Sequence, residues 1–339
     1  MTASRNSRLF RTQLGFECLQ ARVMPAVVVT QLDLDGDGTS DDIRIVGDNA
    51  INKVSIQDNA AGVLTISIDA NGDGDFIDVG EKNAVDYLYS GNSVVFDVNL
   101  AANNDSFTYT LTNNVSAGMR TLGVDLGLGN DTFNFDATGK NFLAGSRLNL
   151  DVVGQAGIDI ANINVGQVFA SQASVQLDLG LGNDTSAVAF GRLDNKAVLD
   201  LDASLGVGTN SMTVDLSQIG FSDQANANVN ITGGTGVDTV TVNLHDDVGD
   251  GTKASALLIN VALSDGNDSF TANMDYDKNV FRVDDHSVAS INVHGGAGND
   301  TLIAQGSGAY WHDPHRSGWV AQPQPEGRHG RRYREGGFR

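Results

Sequence analysis

The chain has 339 residues, of which 40 are glycine and only 6% are aromatic, and this composition is typical of many short strands joined by turns. Its formal net charge of −21 excludes nucleic acids and anionic lipid surfaces as partners, because both would be repelled. The single cysteine, Cys18, excludes a disulfide within the chain, and no apolar run approaches the roughly 20 residues of a membrane span.

Residues 1–26 are predicted to be a basic leader or sorting segment. The stretch "FECLQARVMPA" at 16–26 resembles the L-E-x-L-x-x-R-x-x-P-A segment that opens many large, repeat-rich surface or secreted proteins of planctomycete bacteria, with Phe16 in place of the usual Leu. The resemblance implies export, so we expect the protein outside a bacterial cell or on its surface. The alternatives are a disordered basic leader and a misassigned start codon.

Residues 27–95 are predicted to form an N-terminal β segment with two acidic loops, "DLDGDGTSDDI" at 33–43 and "DANGDGDFIDVGE" at 69–81. Oxygen ligands on alternate residues, followed by a glycine bend, are what a loop needs to wrap a hard cation with six to eight ligands. The sequence therefore predicts Ca²⁺ at both loops. The predicted ligands are Asp33, Asp35, Asp37 and Asp41 in the first loop and Asp69, Asn71, Asp73 and Asp75 in the second.

Both loops resemble the D-x-[DN]-x-D-G half of EF-hand and dockerin-type loops. They depart from it at position 12, where the family's bidentate Glu is replaced by Arg44 in the first loop and Gly80 in the second, with Glu81 one residue late. The flanking residues alternate like strands, so we expect calcium to stiffen a β connection with a dissociation constant of about 10⁻⁴ to 10⁻³ M. The alternative is a solvated acidic turn.

Residues 96–306 repeat one type of turn, of which "GNDTF" around Asp131 is an example. The spacing between its anchor residues is 25 to 32 residues, which indicates a repeat architecture. The anchors are Asp105, Asp131, Asp159, Asp184, Asn210, Asp238, Asp268 and Asp300. Alternation of apolar and polar residues on both sides of each turn predicts half-buried strands.

A smaller apolar group about ten residues after the anchor predicts a third, shorter strand in each repeat. It recurs at Val168 and Phe169, at Ile219 and Phe221, and at Val280 and Phe281. We therefore expect an all-β fold, a right-handed parallel β-helix or β-solenoid with about eight coils, in which identical turns stack Asn and Asp into ladders. The alternative is an antiparallel β-meander or sandwich, with each turn as a hairpin loop.

The repeated turns also resemble the G-G-x-G-x-D-x-U-x nonapeptide of calcium-binding RTX repeats, best at "GGAGNDTLI" (295–303). The resemblance implies further calcium ligands at Asp131, Asp184, Asp238, Asp268 and Asp300. In that family the nonapeptides are tandem, whereas here each copy stands alone, so the ordinary cage is not expected. The alternative is turn chemistry alone, in which glycine supplies a positive φ and Asp accepts backbone N–H groups.

Catalysis is not expected. Parallel β-helices often carry polysaccharide lyases and hydrolases, and a carboxylate with a histidine serves acid–base cleavage, so the candidates are Asp246, Asp284 and His286. They belong to two clusters that lie at different points along their coils. The clusters need not share a face.

Residues 307–339 are predicted to be a disordered or frameshifted basic tail, or a basic arm for an acidic partner, because six arginines stand there against three acids. The whole sequence predicts a secreted or cell-surface, calcium-associated structural or adhesive β-solenoid. Expected partners are cell-surface proteins or polysaccharides, and further copies of the chain through the solenoid ends. The alternative is a β-helix lyase, hydrolase or saccharide-binding module that acts on acidic polysaccharide.

Overall fold

The computed structural model describes residues 27–69, 72–75, 81–216, 220–244, 247–249, 253–274, 283 and 286–305. The elements in these ranges are β-strands, and they form a parallel β-solenoid of about seven turns. The predicted right-handed β-helix is confirmed, with about seven turns where about eight coils were expected. The antiparallel meander is wrong, because strands of successive repeats pair in parallel. The described residues contain no helix that is long and apolar enough to cross a membrane.

The strands, numbered β1 to β24 in chain order, form three sheets. Sheet A contains β1 (Val28–Leu32), β2 (Asp42–Val46), β6 (Val94–Asn99), β8 (Gly118–Asp125), β11 (Ser146–Val153), β14 (Gln172–Asp178), β17 (Val198–Ser204), β19 (Asn226–Thr232), β21 (Ala256–Ala262) and β23 (Val288–His294). Sheet B contains β3 (Lys53–Asp58), β4 (Val63–Asp69), β5 (Lys82–Leu88), β7 (Ser106–Leu111), β9 (Thr132–Asp136), β12 (Ile160–Val165), β15 (Thr185–Phe190), β18 (Ser211–Leu216), β20 (Thr239–Leu244), β22 (Ser269–Asn273) and β24 (Thr301–Gln305). Sheet C contains β10 (Asn141–Phe142), β13 (Gln167–Phe169) and β16 (Leu193–Asp194).

Each turn of the solenoid runs along one strand of sheet A, through a repeated turn, and back along one strand of sheet B. Successive strands pair in register, so that Leu150 lies between Leu122 and Val175. The predicted third strand is confirmed as sheet C, which continues as isolated bridges through Phe221 and Val248. Its predicted members Ile219, Val280 and Phe281 lie outside the described residues.

The core is built from the inward half of each alternating strand. The strand "TFNFD" buries Phe133 and Phe135 and leaves its other side chains at the surface. In-register pairing then stacks aromatic side chains of successive turns on each other. The ring centroids of Phe107 and Phe133 are 6.0 Å apart, and those of Tyr109 and Phe135 are 5.3 Å apart. The period-two pattern therefore fills the interior with a continuous apolar column.

Antiparallel strands lie at the N-terminal end of the solenoid. β2 and β3 pair in parallel with β6 and β7, so they form its first turn. β1 then adds to β2, and the hairpin of β4 and β5 adds to β3, all antiparallel. β6 spans residues 95 and 96, so sheet A continues across the boundary between the N-terminal segment and the repeats. The acidic loops belong to this end of the molecule.

Candidate functional site

The first acidic loop connects β1 to β2 and is closed by its own carboxylates. Asp33 accepts hydrogen bonds from Gly36 N at 2.7 Å and from Gly38 N at 3.1 Å, and Asp35 accepts one from Asp37 N at 3.0 Å. The two glycines have φ values of +77° and +93°, which L side chains rarely adopt. This bend brings together the exposed carboxylates of Asp33, Asp35 and Asp37, with one oxygen of each within 4.8 Å of the others.

The second acidic loop follows β4 and repeats this geometry. Asp69 accepts hydrogen bonds from Gly72 N at 2.6 Å and from Gly74 N at 3.0 Å, and the φ values of these glycines are +76° and +93°. Its carboxylate cluster contains Asp69, Asp73 and Glu81, again within 4.8 Å of one another. The same sequence pattern therefore gives the same backbone bend twice.

Three clustered carboxylates suit a hard divalent cation, because Ca²⁺ takes six to eight oxygen ligands and accepts water in the remaining places. The two loops differ in charge balance. Lys53 Nζ lies 3.3 Å from Asp69 Oδ2 and donates to Gly72 O at 2.8 Å in the second loop. The first loop is the more purely acidic of the two clusters.

One aspartate in each loop has a shifted pKa, and the two shifts have opposite directions. The hydrogen bond from Asp37 N lowers the pKa of Asp35, but desolvation and the negative charges of Asp42, Asp37 and Asp33 outweigh it, so the pKa is raised. Burial raises the pKa of Asp69, but the hydrogen bonds from Gly72 and Gly74 and the charge of Lys53 outweigh it, so the pKa is lowered. A bound cation would relieve the repulsion in the first loop.

The structure places the other predicted loop ligands differently. Asp41 is buried and accepts from both Ser90 N and Ser90 Oγ, at 2.5 and 2.7 Å, so it lies outside the cluster of three. Asp75 N donates to Asp73 Oδ1 at 3.0 Å, and Glu81 supplies the third carboxylate of the second cluster in place of Asp75. Asn71 lies outside the described residues.

Sequence reasoning missed the buried support of the first loop. Asp42, fully buried, accepts from Leu34 N at 2.7 Å and Asp35 N at 3.0 Å, and its other oxygen accepts from Val95 N at 2.7 Å. This carboxylate ties the loop to β6. The only signal in the sequence was the doubled acid "DD" at 41–42.

The anchors of the repeated turns form what we call the inner ladder. Its rungs are Asn52, Asp105, Asp131, Asp159, Asp184, Asn210, Asp238, Asp268 and Asp300. The backbone N–H of one rung donates to Oδ1 of the next; for example, Asp131 N lies 2.8 Å from Asp159 Oδ1. At one step the side chain takes this role, since Asn210 Nδ2 donates to Asp238 Oδ1 at 3.0 Å. Side chains thus extend the main-chain hydrogen bonding from coil to coil.

The inner ladder is buried, and this changes its electrostatics. Burial raises the pKa of Asp105 and Asp159 to about 7 and that of Asp131 to about 6. Burial also raises the pKa of Asp184, Asp238 and Asp268. Among the RTX-like calcium candidates, Asp131, Asp184, Asp238 and Asp268 are buried rungs, and Asp300 is half-buried. Their Oδ1 atoms accept hydrogen bonds from the preceding coil, as turn chemistry alone predicts.

The catalytic candidates are only partly within the described residues. His286 is exposed just before β23, and Asp246 and Asp284 lie outside the described ranges. Cleavage of an acidic polysaccharide therefore stays the alternative, and the expectation of no catalysis stays a prediction.

The outer surface of sheet B carries a regular group of hydroxyls, which we call the hydroxyl face. It consists of Ser211, Thr213, Thr239, Thr241, Ser269 and Thr271, paired in register on β18, β20 and β22. Within the described part of the chain these six hydroxyls make no hydrogen bond to protein. They repeat about every 4.8 Å across strands and about 6.8 Å along each strand.

No family model, curated protein or solved structure matches this chain. The acidic loops, the inner ladder and the hydroxyl face are therefore interpreted from their own geometry.

Proposed function

We propose that the protein is a calcium-associated structural or adhesive β-solenoid that works outside a bacterial cell or on its surface. The observation that carries this proposal is the duplicated acidic loop. Two segments 36 residues apart place a carboxylate under two glycine N–H groups and gather three carboxylates within 4.8 Å. A plain solvated turn needs no such cluster, whereas a divalent cation does.

The position of the loops supports a structural role for the cation. The first loop joins β1 to β2, and the second lies between β4 and β5. These antiparallel strands lie along the N-terminal edge, and β5 is mostly exposed. A cation held by a loop fixes both strands that flank it. Binding to the folded state alone then raises the free energy of unfolding by mass action.

The solenoid itself supports a scaffold or adhesive role. Its turns repeat the same inward apolar and outward polar pattern, and they present long regular faces to solvent. Extracellular modules typically bind calcium with dissociation constants of about 10⁻⁴ to 10⁻³ M. Millimolar calcium outside the cell would therefore keep such a scaffold rigid.

Thermal unfolding of the full chain by circular dichroism, in EDTA, in millimolar Mg²⁺ and in millimolar Ca²⁺, tests the proposal. We expect a calcium-specific rise of several degrees that disappears in Asp35→Ala plus Asp73→Ala. The control, Asp151→Ala plus Asp178→Ala, removes the same charge from exposed positions of sheet A and keeps the rise. Identical melts of the unmodified protein in all three solutions would contradict it.

The hydroxyl face favours a saccharide-binding role as a second candidate. Asp215 is the only charged residue of β18, β20 and β22, on a chain whose net charge is −21. A neutral patch with six unpaired hydroxyls on an acidic molecule fits a neutral polysaccharide better than an acidic one, because an acidic chain is repelled by the surroundings.

Co-sedimentation with insoluble neutral polysaccharide tests the second candidate. Thr241→Val with Thr271→Val removes two hydroxyls at nearly constant shape, and valine is favoured in strands. We expect weaker retention for this variant and unchanged retention for Ser174→Ala on sheet A. Equal retention of all three proteins would exclude the hydroxyl face.

A further inference from the structure

The inner ladder holds carboxylate oxygens in the interior with no partner. Oδ1 of each aspartate accepts from the preceding rung, but Oδ2 of Asp105, Asp131, Asp159, Asp184 and Asp268 is buried without any hydrogen-bond partner among the described residues. All five side chains are at most 2% exposed. An ionised oxygen in this position has lost its hydration and has no hydrogen bond to replace it. A bound proton or cation would remove this cost.

At Asp159, the space beside the unpartnered Oδ2 suits a proton better than a metal ion. A methyl group added to Gly154 would lie only 2.7 Å from Asp159 Oδ2 and 2.7 Å from Leu179 O. Neighbouring backbone therefore already fills the volume next to this carboxylate. Calcium needs six to eight oxygens at about 2.3–2.6 Å, which such packing does not leave room to arrange.

Two rungs, Asn210 and Asn52, already have a neutral side chain. Asn210 Oδ1 accepts from Asp184 N at 2.9 Å, as the aspartate rungs do, and its Nδ2 donates to Asp238 Oδ1 at 3.0 Å. Asn52 Nδ2 likewise lies 3.3 Å from Asp105 Oδ1. A protonated aspartate has the shape of asparagine, with an O–H in place of the amide donor.

We propose that aspartates of the inner ladder take up protons from solvent when the solenoid folds, and that a neutral rung donates its Oδ2–H to Oδ1 of the next rung. Each uptake turns one carboxylate and one solvent proton into a carboxylic acid. Neighbouring rungs are then joined by a hydrogen bond instead of repelling each other.

The electrostatics of Asp159 support this assignment. The charged groups that act on it are Asp131 and Asp184, from the preceding and following turns, and both are acidic. Burial is the largest influence and raises the pKa of Asp159 to about 7, while the hydrogen bond from Asp131 N lowers it in part. No cation in the described structure offsets these influences on Asp159.

The count of protons released on unfolding tests the proposal on the full chain. Unfolding in guanidinium at about pH 6, in weakly buffered solution, should release protons, because the unfolded aspartates have pKa values of about 4. Asp159→Asn keeps the shape of the neutral rung and should release about one proton fewer. Asp151→Asn, on the exposed surface of the same coil, should match the unmodified protein.

Two further measurements keep the proposal falsifiable if Asp159→Asn folds poorly. Asp105→Asn should show a similar deficit, since the pKa of Asp105 is also raised to about 7, and calorimetric unfolding of the unmodified protein in buffers of different ionisation enthalpy gives the proton count without any variant. No proton release from the unmodified protein would overturn the proposal. A deficit in Asp151→Asn equal to that in Asp159→Asn, or a calcium-induced stabilisation that Asp159→Asn abolishes, would also overturn it.

Discussion

Arg120 and Asp58, which are 62 residues apart in the chain, form an ion pair inside the N-terminal end of the solenoid, with Arg120 Nε 2.5 Å from Asp58 Oδ2. Both side chains are at most 1% exposed. The hydroxyl of Tyr109 donates to the same Asp58 oxygen, and the hydroxyl of Tyr89 donates to Oδ1. The pair connects β3 to β8, and among the described residues its charges are satisfied by each other, by these two hydroxyls and by nearby backbone.

Removing Arg120 should therefore destabilise the protein strongly. Arg120→Met leaves the buried carboxylate of Asp58 without its cation, and we expect the free energy of unfolding in urea to fall by about 3–5 kcal/mol. Arg44→Met, which breaks the exposed ion pair with Asp97, should cost at most about 1 kcal/mol. An equal fall in the free energy of unfolding for the two variants would show that the buried ion pair contributes no more to stability than the exposed one.

The stacked turns predict a sharp difference between two glycines. Gly157 has φ of +152°, and a methyl group on it would lie 1.3 Å from Gly129 O of the preceding coil. Gly157→Ala must push two coils apart, so we expect a loss of at least about 3 kcal/mol.

Gly139→Ala provides the matched control. Its φ is +66°, but nothing lies within 4 Å of an added methyl group, so only the backbone penalty of about 1 kcal/mol applies. Chemical denaturation of both variants checks the difference. Similar midpoints would mean that the coils are less tightly stacked than the structure places them.

In the second acidic loop, Glu81 should matter more for calcium than Asp75. Glu81 belongs to the cluster with Asp69 and Asp73, so Glu81→Gln removes a clustered carboxylate and should raise the calcium dissociation constant about tenfold. Asp75→Asn should change it much less. Calorimetric titration in an Asp35→Ala background isolates this loop, and a larger effect of Asp75→Asn would reverse the assignment.

The melting temperature should rise as the pH is lowered from about 8 to 5. The pKa of Asp105 and Asp159 is raised to about 7 and that of Asp131 to about 6, so the folded chain binds more protons than the unfolded chain in this window. That contribution is fully present below the ordinary aspartate pKa of about 4 and is lost as the pH rises through about 7.

The opposite sign applies to Asp69 and Asp136, whose pKa values are lowered. For Asp69, burial raises the pKa, but hydrogen bonds from Gly72, Lys53 and Gly74 outweigh it. For Asp136, hydrogen bonds from the hydroxyl and N–H of Thr138 lower the pKa. Their stabilisation is present above about pH 4 and is lost as the pH falls below it, so the maximum should lie between about pH 4 and 5. A melting temperature that is highest at pH 8 would contradict this profile. Asp159→Asn should make the melting temperature fall less steeply between about pH 5 and 8.

The fold was predictable because its signals are local. Each anchor turn, the alternation on both sides of it and the apolar pair at Val168 and Phe169 lie within one repeat, and in-register stacking follows from repetition. The acidic loops were also readable, since the bend of Asp33 over Gly36 and Gly38 involves only neighbouring residues.

The remaining features depend on partners far away in the chain. Asp41 and Asp42 are adjacent acids, and Ser90 and Val95, more than 45 residues later, decide that both turn inward. Asn52 has no repeated turn around it, yet it becomes the first rung because its backbone meets Asp105. No spacing rule identifies such contacts before the coils are stacked.

The stacking also determines how the solenoid responds to force. Because sheets A, B and C join each coil to its neighbours, a pull along the axis loads the coil-to-coil contacts in series, and every contact carries the whole tension. The solenoid then extends in steps under load. The weakest coil-to-coil contact breaks first, and each step unfolds one coil and releases its length of chain. A solenoid built in this way yields gradually under load instead of breaking at once.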